Sequence, residues 1–119
     1  MKVNESEFLF IKENLRARDL KQKECREVRR KEQLKYVCCK LKLYFKNYPE
    51  CNVYLTGSIV RPGAFSDGSD IDIAVENYPG GRLDLFMELS ELIDLPVDLI
   101  IIERCQFADH IREKGVRVC

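Results

Sequence analysis

Val53-Tyr54-Leu55-Thr56-Gly57-Ser58, followed further along by Ser69-Asp70-Ile71-Asp72-Ile73-Ala74-Val75, is the stretch on which the reading of this chain turns. Strand alternation puts the Asp70 and Asp72 carboxylates on one face and Ile71 and Ile73 on the other. Two like charges held that close repel in a partly buried site unless a cation sits between them. A hydroxyl beside a glycine, just after a hydrophobic strand, suits a grip on phosphate oxygens. The pattern points to a metal and a phosphate.

A third carboxylate comes from Val97-Asp98-Leu99-Ile100-Ile101-Ile102, a β-branched run typical of a buried strand, which Asp98 interrupts near its start. A charge there is costly to bury unless something pairs with it. Gathering Asp98 with Asp70 and Asp72 around divalent cations removes that cost. Hard oxygen ligands of this kind favour Mg²⁺ or Mn²⁺ over zinc, and Mg²⁺ commonly takes one or two carboxylates plus substrate phosphates.

Working outward, residues 4 to 46 contain no glycine or proline, and helix formers dominate. Asn4 and Glu7 are spaced as in a capping box, with Asn in place of the usual Ser or Thr. Phe8, Ile11 and Leu15 lie at helical spacing, and Leu34, Val37, Cys38, Leu41, Tyr44 and Phe45 form a wider apolar stripe. Between them, residues 16 to 33 are mostly charged. The segment reads as two helices or one long one, with the second stripe on the core and the first seeking its cover on another molecule.

Asn47-Tyr48-Pro49-Glu50 ends the helical region. Val53–Thr56 is a strand, and Pro62-Gly63 and Asp67-Gly68 punctuate the way to the next, Ile71–Val75. Leu83, Phe86, Met87, Ser90 and Ile93 trace a helix whose buried face is expected to be apolar, until Pro96 breaks it. After the Asp98 strand, Phe107–Lys114 reads as a last helix with Gly115 at its C-terminal cap. The expected fold class is α/β (α+β), a small mixed β-sheet flanked by helices, in one domain over residues 1–119. Residues 1–48 form an N-terminal helical extension and 49–119 the core.

Composition is ordinary for a globular protein, with 20 Lys and Arg against 20 Asp and Glu. That neutrality hides polarity: residues 1–50 hold fourteen basic against eight acidic side chains, and residues 51–119 six against twelve. An acidic second half fits a cation site; the basic first half is read chiefly as a solvated, mixed-charge helix surface. The 6 cysteines contain no Cys-x-x-Cys pair and are expected to be reduced thiols. His110, the 1 histidine, is expected on the surface of the last helix, which excludes a histidine-rich metal site. No apolar run reaches membrane-spanning length, and Met1-Lys2-Val3-Asn4-Glu5-Ser6-Glu7 is too acidic to open a secretory signal, so no membrane association and a cytoplasmic location are expected. Direct nucleic-acid binding is not expected, since no basic sheet with interleaved aromatics is present.

Gly57-Ser58, Ser69-Asp70-Ile71-Asp72 and Pro96-Val97-Asp98-Leu99-Ile100 together resemble the minimal nucleotidyltransferases (MNT) of the DNA polymerase β-like nucleotidyltransferase superfamily, antitoxin partners of HEPN toxins. Ile111-Arg112-Glu113-Lys114-Gly115-Val116 looks like that family's closing helix and turn. The resemblance implies that Gly57 and Ser58 hold a triphosphate, with Arg61 neutralising phosphate charge and Ser69 shaping the turn beside the nucleotide. It implies metal-ligating and catalytic roles for Asp70, Asp72 and Asp98, with Asp98 also helping to activate the attacking hydroxyl. Ile59 stands where a basic residue is frequent in that family. The implied reaction transfers NMP, here AMP from ATP with Mg²⁺ (or Mn²⁺), to a hydroxyl on a macromolecular acceptor such as a HEPN toxin. The alternative is a non-catalytic module that binds nucleotide or neutralises its partner by contact. The N-terminal helices are expected to carry a homo-oligomer or hetero-complex.

Overall fold

In the computed structural model, which describes residues 4–66 and 68–119, the whole N-terminal region is one helix, α1 (Glu5–Phe45). Asn4 caps it: its side-chain oxygen accepts from the Glu7 amide at 2.8 Å. Nothing in the charged middle breaks the helix, and the spacing of Asp19 with Lys23 and of Glu27 with Lys31 is the i,i+4 arrangement that supports it. At about 1.5 Å per residue the helix runs some 60 Å, which accounts for most of the 67 Å long axis of the molecule.

The sheet follows. Strand β1 (Asn52–Thr56) runs into a 3-10 turn at Gly57–Val60, called the elbow below, and β2 (Ile71–Glu76) returns antiparallel to β1. Helix α2 (Arg82–Ile93) crosses over to β3 (Val97–Ile101), which pairs parallel with β2. A short 3-10 turn, Ile102–Arg104, leads to α3 (Ala108–Lys114) and a two-residue strand β4 (Val116–Arg117) beside β1. The sheet order is β3-β2-β1-β4. This is the mixed α+β arrangement that the sequence pattern implies.

The two faces of the sheet differ. Val53, Leu55, Ile71, Ile73, Val75 and Leu99 meet Val37, Leu41 and Phe45 of α1 and Leu85, Leu89 and Ile93 of α2 in one continuous core. On the other face only a small cluster forms, Tyr54, Ala74, Ile102 and Ile111, under α3. Asp72 alternates with Ile71 and Ile73, so it lies on this thinly covered face.

Two details depart from the sequence reading. The chain forms β4 where a turn was expected. The buried face of α2 is Leu85, Leu89 and Ile93, with Leu83, Phe86 and Met87 exposed, because the helix is rotated to turn the former three onto the sheet. Gly115 caps α3 as the sequence reading has it: its amide donates to the Ile111 carbonyl at 2.8 Å, and a Cβ there would lie 2.6 Å from that same oxygen. Asp94, with φ 57°, is the left-handed residue that closes α2 ahead of Pro96. Asp67 of the expected Asp67-Gly68 turn lies outside the described residues. All six cysteines are free, and His110 is exposed on α3. Among the described residues no helix is long and apolar enough to cross a membrane.

Candidate active site

Strand register brings two of the carboxylates together. Asp72 of β2 is the direct partner of Asp98 on the parallel strand β3, so both project from the same face. Asp70 directly precedes β2, and its charge acts on Asp72. The β2–β3 ladder extends back past the strands through a bond from the Ile71 amide to the Pro96 carbonyl, 2.8 Å, which fixes the chain between Asp70 and Asp72. Asp72 is half-buried, while Asp70 and Asp98 are exposed.

The elbow supplies the opposite wall. On the β1 side Asp72 faces Thr56, and Gly57 follows directly with φ +79°. A Cβ on Gly57 would lie 2.0 Å from Asp72 Oδ2. No other residue lets the backbone pass that close to the carboxylate, so this glycine is required twice over, by conformation and by space. Ser58 is next in the elbow, with its carbonyl accepting from the Arg61 amide at 3.2 Å. Arg61 leans back over the elbow, its Nε donating to the Gly57 carbonyl at 3.4 Å. Ser69 is built into its own turn: its hydroxyl oxygen accepts from the Ser66 amide at 3.0 Å, and its amide donates to the Ser66 carbonyl at the same distance.

Electrostatics link these groups. Burial pushes the Asp72 carboxyl above the ordinary carboxylate range, the charges of Asp98 and Asp70 push it further, and Arg61 pulls the other way. Asp70, Asp98 and Arg61 are therefore all within electrostatic reach of Asp72. No protein hydrogen bond or ion pair satisfies any of the three carboxylates among the described residues. Mutually repelling, unpaired carboxylates are a fitting donor set for a hard divalent cation. As the side chains stand, no three His, Cys, Asp or Glu among the described residues are gathered closely enough to hold a metal ion. That is compatible with Mg²⁺, which is usually held by one or two carboxylates and completed by water and substrate phosphate.

The sequence reading missed what supports the elbow. Ile59 is fully buried in the main core and anchors the elbow from below. That packing explains an apolar residue where the resemblance leads one to expect a basic one. Arg30 of α1, 7% exposed, donates from Nη1 to the Ile59 carbonyl at 2.9 Å. Nothing in the sequence separates Arg30 from the arginines and lysines around it.

No curated protein matches the chain. A family model described as "Polymerase beta, Nucleotidyltransferase" matches residues 39–119, a span that takes in the end of α1, the whole sheet, the elbow and all three aspartates. The chain belongs to this polymerase β-type nucleotidyltransferase family.

Proposed function

We propose that the protein is a Mg²⁺-dependent nucleotidyltransferase that moves AMP from ATP to a hydroxyl on a protein partner, a HEPN toxin, and so acts as its antitoxin. The observation that carries the reading is the juxtaposition of Asp72 with Asp98 across parallel strands, beside a glycine elbow that only Gly57 can form. Ser58 donates its hydroxyl to a phosphate oxygen, and Arg61 offsets charge on the triphosphate. Asp70 and Asp72 would hold the divalent cation, with Asp98 completing the set. The bound cation supplies charge neutralisation on the phosphoryl group being transferred. Asp98 is exposed at the rim and accepts the acceptor's proton as its oxygen bonds to the α-phosphorus and pyrophosphate departs. The exposed Phe8, Ile11 and Leu15 of α1 serve as the partner's handle.

The test is incubation with ATP, Mg²⁺ and the candidate partner, read by intact mass for a covalent AMP. Replacing Asp70 and Asp72 by Asn is expected to lower transfer by more than about 100-fold, the scale that even outer-shell changes reach at metal sites. Transfer that survives the double substitution refutes the metal assignment. The uncovered apolar stripe favours a second reading, neutralisation by contact alone. That reading holds if the double Asn variant still silences the partner without modifying it.

A further inference from the structure

Arg30 is the one buried charged side chain among the described residues, and it sits on α1. Its guanidinium is shared between two partners. Nη1 reaches the Ile59 carbonyl in the elbow at 2.9 Å, while Nε and Nη2 grip the Glu27 carboxylate at 3.2 and 3.1 Å. Glu27 in turn accepts from the Gly63 amide at 2.5 Å. One turn of α1 thus holds the main chain at two points, one inside the elbow and one just past Arg61. Carbonyl and amide are held by opposite charges, a geometry that fixes position as well as distance.

Stability alone is a poor account of such a pair. Arg30 is buried while Glu27 keeps 31% of its side chain exposed, so desolvation of the arginine offsets much of the attraction and the gain of the pair lies in fixing one conformation. The segment so fixed carries Ser58 and Arg61. We infer that Arg30 and Glu27 are positioning residues for the nucleotide site, holding the elbow in the form that receives the triphosphate. The inference rests on the nucleotide reading above and makes α1 part of the site's framework as well as a handle.

The test uses the full chain with Arg30→Gln, Arg30→Lys and Glu27→Gln, measuring Mg·ATP affinity by calorimetry and amide hydrogen exchange residue by residue. Arg30→Gln is expected to weaken Mg·ATP binding roughly tenfold, the lower end of what lost outer-shell support costs a site. The Arg61 and Gly63 amides should exchange faster, while those of α2 and β3 keep wild-type rates. Arg30→Lys, which offers one point charge to two partners, should fall between wild type and Arg30→Gln. Should Arg30→Gln not fold, Glu27→Gln carries the test, since it keeps the side-chain shape and loses the charge. Exchange accelerated evenly across the whole chain, or a loosened elbow with unchanged affinity, overturns the positioning role. A wild-type chain that leaves Mg·ATP unbound sinks the nucleotide reading itself, whereas a binding wild type matched by its variants sinks only this inference.

Discussion

At Asp72 the protein accepts an electrostatic cost. Burial and the neighbouring charges of Asp98 and Asp70 raise its pKa, so the folded chain binds this proton more tightly than the unfolded chain does. The native state is therefore favoured while Asp72 is protonated, and the penalty appears as pH rises through its raised pKa. Asp72→Asn should accordingly be more stable than wild type at pH 7 without metal, by about 0.5–1 kcal/mol once solvent screening at a half-exposed site is allowed for. The advantage should shrink toward zero in acid, and thermal melts across pH read it directly. Equal melting temperatures at neutral pH would mean that the three carboxylates do not strain one another. Asp70, Asp72 and Asp98 were legible in the sequence because period-two alternation and a charge inside an apolar strand are visible in one dimension. Arg30 was not, because its burial depends on where the elbow falls against α1, a contact between residues far apart in the chain.

The elbow owes its glycine to a neighbour that the sequence does not reveal. Glycine before serine suggests close approach to phosphate, but the structure adds a neighbour inside the protein, the Asp72 carboxylate. Gly57→Ala should thus disturb the fold and the site together: the left-handed φ and the clash cost about 1–3 kcal/mol, and the displaced Asp72 loses its place beside Asp98. The measurements are a denaturant melt and a Mg²⁺-dependent ATP titration. A variant of wild-type stability and affinity would show that the elbow has room to spare. Other elements were legible to differing degrees. The strands and the extent of α2 follow from apolar pattern and proline placement, but the face of α2 does not, because apolar residues ring it and only packing on the sheet selects Leu85, Leu89 and Ile93. Whether the N-terminal region was one helix or two stayed open, because residues 16–33 lack an apolar stripe to report continuity. Strand β4 is too short to carry any pattern of its own.

For the molecule as a whole, α1 divides at about Arg30. Beyond that point Val37, Leu41 and Phe45 lie in the core, whereas Phe8, Leu9, Phe10, Ile11 and Leu15 are roughly half exposed or more, with Phe10 at 66%. Side chains with no cover in the chain contribute nothing to its own stability, so Phe8→Asp with Ile11→Asp should leave the melting temperature within about 0.5 kcal/mol equivalent of wild type. The same pair should abolish partner capture and any self-association seen by light scattering. A lowered melting temperature in a dilute, monomeric sample would place those residues in the core after all. Continuity of the helix has a mechanical consequence. From Phe8 to Arg30 is about 33 Å at helical rise, and the shaft has no glycine or proline hinge. On the proposed function, a stiff rod of that length works as a ruler: a partner gripping its tip would be offered to the aspartates at a set span, and targets built shorter or longer would miss.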